Sequence, residues 1–191
     1  MKNKIIKKDY YKTSLWSGGK TTELYIYPEK ATYENRNFLF RLSSATVELE
    51  KSNFTPLEGI KRFIAPIDAS LKLFHQDQEV YLKPYDCYAF DGGIKTRSEG
   101  KVTDFNLMLS KETSGSLESF FLQKSTEMTL SNPSNHLCFI YAPALSLSIS
   151  GKETFELSAG DLGVFFEEPV LSFISKQKGY FFVAKIHLST L

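Results

Sequence analysis

Short runs of alternating polar and apolar residues fill this chain, and no stretch keeps a helical period for the length a helix usually needs. The alternation is clearest in Asp104-Phe105-Asn106-Leu107-Met108. Successive strand side chains point to opposite faces, so Asp104, Asn106 and Met108 share one face and Phe105, Leu107 and Leu109 the other. The apolar face demands a core. The polar face points either to water or into a cavity. Similar patterns predict strands at 23–27, 38–49, 61–67 and 88–90, and a hairpin of 71–74 with 79–82 around the polar tip His75-Gln76-Asp77-Gln78. After 136 they return at 137–141, 145–149, 154–157, 162–166, 171–174 and 180–187. Between them, 110–135 is rich in Ser and Thr and reads as a connector, with a short strand or helical turn around Phe120-Phe121-Leu122. Many short strands with frequent turn signals predict an all-β sandwich or barrel.

The pattern also repeats. At an offset of 75, residues 80–90 (VYLKPYDCYAF) lie over 155–165 (FELSAGDLGVF), matching Leu82 to Leu157, Asp86 to Asp161 and Phe90 to Phe165. Each copy follows an apolar hairpin and precedes another strand. The Leu-x-x-Gly-Asp form of the second copy resembles a turn of cupin barrels, and a duplicated barrel would account for both.

Composition narrows the function classes. Lys and Arg total 23 against 22 Asp and Glu, a net charge of +1, whereas a general nucleic-acid binder carries a basic excess. The N-terminus MKNKIIKKDYYK lacks the apolar run of a signal peptide, and no segment reaches the ~20 apolar residues of a membrane helix. Cys87 and Cys138 fall in apolar strand-like segments and read as buried reduced thiols, which with no sign of secretion points to a cytoplasmic protein.

Candidate chemistry is sparse. The three histidines, His75, His136 and His187, do not have the spacing of a cupin metal set, and no metal or other cofactor is expected. A carboxylate-only site around Asp104 and Glu23 has no spacing to recommend it. Ser17-Gly18-Gly19-Lys20-Thr21 lacks the full phosphate-loop pattern, and a strand rather than a helix follows it. No Gly-x-Ser-x-Gly elbow is present, and His75 at a polar tip reads as a solvated loop histidine. What remains is Arg41 and Ser43 on one strand face, Arg62 after a glycine loop, and Asp104 beside Asn106. An arginine offers a planar fork for carboxylates, and the Asp/Asn pair offers both donors and acceptors. Facing a lumen, these groups bind a small polar or anionic molecule; facing water, they are an ordinary polar strand face with an Arg41–Asp104 surface pair worth little.

Five segments in register resemble the HutD/Ves family: Trp16-Ser17-Gly18-Gly19-x-Thr21-x-Glu23, Phe40-Arg41-x-Ser43-x-Ala45, Phe54-Thr55-x-x-x-Gly59-x-x-Arg62, Phe90-x-Gly92 and Asp104-Phe105-Asn106-x-Met108. The resemblance implies an all-β bicupin spanning 1–191, with cupin-like barrels of the RmlC-like jelly-roll type in halves 1–110 and 111–191 that could exchange strands. It also implies a homodimer and no cupin metal ligands. Its pocket candidates are Glu23, Arg41, Ser43, Arg62, Asp104 and Asn106, with Trp16 and Gly59 shaping the entrance. The function implied is non-catalytic binding of a small polar or anionic metabolite, such as urocanate or formylglutamate, in the modulation of histidine utilisation. The alternatives are a metal-independent enzyme with Asp104 or Glu23 as general base, and a stress-induced protein. The chain departs from the family at Thr22, where an arginine is usual, and at Thr55, Glu58, Lys61 and Leu109-Ser110-Lys111.

Overall fold

The computed structural model describes residues 2–132 and 135–188; side chains from 188 onward lie outside it. Among these residues the regular structure is strand, apart from one 3-10 turn at Lys8–Tyr10. The chain divides into two compact units, 11–113 and 1–10 with 114–191.

In the unit 11–113, a six-stranded sheet runs in the order β2 (Lys12–Trp16), β3 (Gly19–Tyr27), β4 (Phe40–Val47), β11 (Val102–Ser110), β6 (Ile60–Pro66) and β9 (Tyr88–Asp91). A four-stranded sheet runs β5 (Lys51–Asn53), β10 (Thr96–Glu99), β7 (Leu71–His75), β8 (Gln78–Leu82). Their inner faces share one core, with Val47, Ile64, Phe90 and Val102 from the larger sheet and Leu71, Leu73 and Leu82 from the smaller. Each such side chain contributes about 1.5–3 kcal/mol on leaving water.

The other unit contains the sheet β1 (Lys4–Ile6), β17 (Leu162–Phe166), β14 (His136–Tyr141), β19 (Gly179–Leu188), β12 (Thr113–Leu122). Its second sheet runs β13 (Met128–Ser131), β18 (Val170–Ile174), β15 (Leu147–Ser150), β16 (Thr154–Leu157). Phe181, Val183, Ile140 and Phe165 meet Leu147, Ile149, Leu157 and Phe173 in its core.

The repeat seen at residues 80–90 and 155–165 extends to the sheets. The orders β4-β11-β6-β9 and β5-β10-β7-β8 recur as β12-β19-β14-β17 and β13-β18-β15-β16. Asp86 and Asp161 occupy the same turn, their amides donating to the carbonyls of Lys83 and Ser158, both at 3.0 Å. The edges differ. β2 and β3 extend the first unit, whereas β1 extends the second by pairing with β17, Ile5 opposite Gly163. Buried Asp161 accepts from the Lys8 amide and from Lys7 Nζ, both at 2.9 Å. Asn3 Nδ2 donates to buried Glu168 at 2.7 Å. The first ten residues are thus built into the unit formed by the end of the chain.

Four expectations are corrected. Among the described residues no sheet closes on itself, so facing pairs of open sheets stand where closed barrels were expected. Residues 113–122 and 128–131 are strands rather than a connector. Their Ser and Thr residues give little alternation, and Leu117 and Leu122 are the positions buried on β12. His75 is not solvated: it ends β7, opposite Gln78, and is only 6 % exposed. Cys87 lies in the turn before β9 and is half-buried, while Cys138 is buried on β14; both are free thiols. Among the described residues, no helix is long and apolar enough to cross a membrane.

Candidate functional site

β11 lies between β4 and β6, and its register assembles the site. Asp104 stands opposite Ala45 and Pro66, Asn106 opposite Ser43 and Ile64, and Met108 opposite Arg41 and Arg62. Residues opposite one another share a face. Glu23, opposite Ser43 on β3, joins that face. Because Val47, Ile64 and Val102 also lie on it, it is the inner face of the unit. The face does not point to water: Asp104 is 2 % and Arg62 8 % exposed, and Arg41, Ser43 and Asn106 are buried.

Arg41 pairs with Glu23 rather than Asp104. Its Nε donates to Glu23 Oε2 at 2.7 Å and its Nη1 to Ser43 Oγ at 3.1 Å, while its guanidinium lies 4.7 Å from the Tyr33 ring centre. A register slip between Glu23 and Tyr25 turns the next residues outward, where Tyr25 and Tyr27 stack on Phe40.

Asp104 accepts a hydrogen bond from Asn106 Nδ2. Burial pushes its pKa up to about 7, against the Asn106 bond, the Arg62 charge and the Ala45 amide, which favour the carboxylate. Arg62 lies over Phe54 and Phe90, 4.6 and 5.4 Å from the ring centres. Burial draws its pKa down, while Tyr33 and Asp104 oppose that. Arg62 Nε and Asn106 Oδ1 are buried without a hydrogen-bond partner among the described residues. Each unsatisfied group carries a desolvation cost of about 1–3 kcal/mol.

Six of the eight expected residues thus share one face. Trp16 lies on the edge strand, opposite Gly19, 38 % exposed and with its ring folded over Gly18. Gly59, exposed and at φ +73°, occupies the turn before β6 beside Lys61 and Asp91. Among the described residues, no observed contact joins either of them to the buried cluster.

The smaller sheet supplies residues that motif reasoning missed. Thr96 pairs with His75 and Ser98 with Leu73, so His75, Thr96 and Ser98 share the inward face of Leu73. The His75 ring lies 4.9 Å from the centre of Phe90, the ring that also touches Arg62. The available signal was the alternation Leu71, Leu73, His75, continued one residue further.

The second unit gives an internal control. By the pairings to Ile64 and Ile140, Arg62, Asp104 and Asn106 correspond to Cys138, Phe181 and Val183. By the pairings to Leu73 and Ile149, Thr96 and Ser98 correspond to Leu171 and Phe173. All five counterparts lie in one apolar core, where burial pushes the Cys138 thiol up to about 12. At these five positions the same strand arrangement therefore packs without polar groups.

No three His, Cys, Asp or Glu side chains converge as metal ligands among the described residues. His75 is engaged with Thr96 on the smaller sheet of the first unit, while His136 and His187 face each other across β14 and β19 in the second. The donor set does not fit the imidazole-rich centre of metal-binding cupins.

Solved structures share this fold. The conserved protein of unknown function PA5104 from Pseudomonas aeruginosa PAO1 matches at TM-score 0.84 and 18 % identity, covering 98 % of this chain and 100 % of that one. HutD from Pseudomonas fluorescens SBW25 matches at 0.75 and 19 %, covering 97 % and 98 %. YhhW from Escherichia coli, a bacterial pirin, matches at 0.76 and 8 %, covering 100 % and 99 %. No curated protein matches the chain in sequence. The HutD family model matches residues 8–182, nearly the whole chain. With the Arg41, Arg62 and Asp104 segments of the buried face inside that match, the chain belongs to the HutD family.

Proposed function

We propose that this chain is a bicupin whose unit 11–113 binds a small carboxylic acid between its sheets, while its C-terminal unit is an apolar duplicate. One observation carries the reading: polar groups occupy the interior of one repeat where the other has Cys138, Phe181, Val183, Leu171 and Phe173. Burying charged and polar groups is costly, and the second unit indicates that the fold does not require it. Arg62 offers its guanidinium fork to the carboxylate, and Phe54 and Phe90 offer flat apolar walls. Glu23 holds Arg41 in place. The protein acts as a ligand-responsive modulator rather than a catalyst. The family name directs the ligand search to histidine utilisation, with urocanate and formylglutamate as candidates.

Ligand that binds only the native state raises the melting temperature. Millimolar urocanate or formylglutamate is expected to stabilise the protein, and Arg62→Met to weaken that binding at least tenfold. If no carboxylic acid at millimolar concentration changes the melting temperature, the reading fails.

A second reading rests on Asp104. A carboxylate with a pKa of about 7 beside an arginine is suited to general-base chemistry near neutral pH. Once any turnover is found, Asp104→Asn is expected to reduce it at least a hundredfold; unchanged turnover would exclude Asp104 as the base.

A further inference from the structure

The smaller sheet carries a polar group that the carboxylate reading does not use. His75 Nδ1 lies 2.9 Å from Thr96 Oγ1, and that hydroxyl donates its single proton to the Ile94 carbonyl at 3.1 Å. With that proton on Ile94, the ring proton is assigned to Nδ1, which donates to Thr96. In this tautomer Nε2 is a bare lone pair, and it is buried without a partner among the described residues. Burial holds the imidazole below its ordinary pKa, so it is neutral at pH 7.

His75 is well placed to use that lone pair. Its ring packs on Phe90 from the smaller sheet, while Arg62 approaches the same ring from the larger one. An open cavity of about 430 Å³ has Phe54 and Thr96 in its wall, with neither His75 nor Arg62 in its lining. Phe54 covers Arg62, and Thr96 is the group bonded to His75. The cavity thus borders a direct neighbour of each of these two polar groups. The second unit has Gly151 at the position corresponding to His75, so an imidazole is no more a requirement of this strand pair than an arginine is of β14.

We infer that His75 is a specificity-determining residue: the site selects carboxylic acids that also carry an N–H or O–H donor, with the carboxylate on Arg62 and the donor on His75 Nε2. Entry is from the cavity at Phe54 and Thr96. The inference rests on the carboxylate-binding reading and adds a requirement to it. The donor must sit at the end of the ligand opposite the acid group. An acid of the same shape without the donor would leave Nε2 buried and unpaired, so it should bind more weakly.

Urocanate and cinnamate test this directly, since both are arylacrylates and only the first has a ring N–H. Urocanate is expected to bind the protein at least tenfold more tightly than cinnamate by calorimetry. His75→Phe keeps an aromatic ring against Phe90 and is expected to remove that preference. His75→Gln, which restores an acceptor oxygen, is expected to recover part of it. A second measurement needs no variant: the 15N resonance of the unprotonated His75 nitrogen should move on adding urocanate and stay still on adding cinnamate. Equal binding of the two acids, or equal weakening of both by His75→Phe, overturns the role of His75 while the Arg62 reading stands. If neither acid binds, both fall together.

Discussion

Asp104→Asn is expected to make the protein more stable than the parent at pH 8 and nearly equal to it at pH 4. The carboxyl is buried, and its pKa rises from 3.8 to about 7 on folding. Between those values the unfolded chain has released the proton and the native state has kept it, so stability falls as pH rises through this window. Three pH units amount to roughly 4 kcal/mol. The amide introduced by Asp104→Asn has no charge to bury and removes this dependence. The groups acting on Asp104 are Asn106, Arg62 and the Ala45 amide, which favour ionisation, and Asp68, which opposes it. His75 contributes in the opposite sense: its pKa is lowered by burial, so its share of stability is lost as pH falls below about 6.5. Burial would raise the Asp161 pKa, but bonds from Lys7 and Lys8 hold it below 3.8, so its share is lost at more acid pH still. Urea unfolding of parent and variant at pH 4, 6 and 8 isolates the Asp104 contribution as a difference. A variant less stable than the parent at pH 8 would mean that the Asp104–Arg62 attraction outweighs the cost of burying the charge.

Gly19→Ala is expected to cost about 3 kcal/mol or more in the same measurement, combining backbone strain with overpacking. Gly19 has φ +149°, and a Cβ there would overlap the carbonyl oxygen of Thr46. That oxygen belongs to β4 and cannot rotate aside as a side chain would. The substitution pushes the β2–β3 hairpin away from β4, which also moves Glu23 from Arg41. A second readout follows: ligand binding should weaken along with stability. A loss under 1 kcal/mol would mean that the β3–β4 edge yields easily.

This glycine shows what could be read from the chain alone. The Gly18-Gly19 pair was legible as a turn, and its place before a strand was enough to set aside a phosphate loop. Strand positions were legible wherever one face was polar and the other apolar. The destination of the polar face was not, because both sides of β11 are buried, Asp104 and Asn106 no less than Phe105 and Leu107. Polarity marks a face; burial depends on which sheet comes to cover it. Arg41 shows the same limit. Its partner was chosen between carboxylates distant in sequence, and only the β3–β4 register brings Glu23 to it. His75 was missed because the turn starts one residue later than the polar run suggested. The second unit's role was legible only in outline: the repeat located the strands, but the exchange of Arg62 for Cys138 depends on pairing rather than on aligned letters.

The antiparallel pairing of Lys4, Ile5 and Ile6 with Val164, Gly163 and Leu162 sets an order on synthesis. Residues 11–113 form a continuous run that holds every strand of its own unit, so this part can collapse as soon as it leaves the ribosome. β1 emerges before this run, but its partner β17 is made only after it. β1 therefore waits for its partner while the whole of the first unit is made, and until then its backbone groups are open to any passing edge. Lys2, Lys4, Lys7 and Lys8 surround Ile5-Ile6 with charge, which is how exposed edge strands are kept from pairing wrongly. Such charge suits a strand that has to wait for its partner.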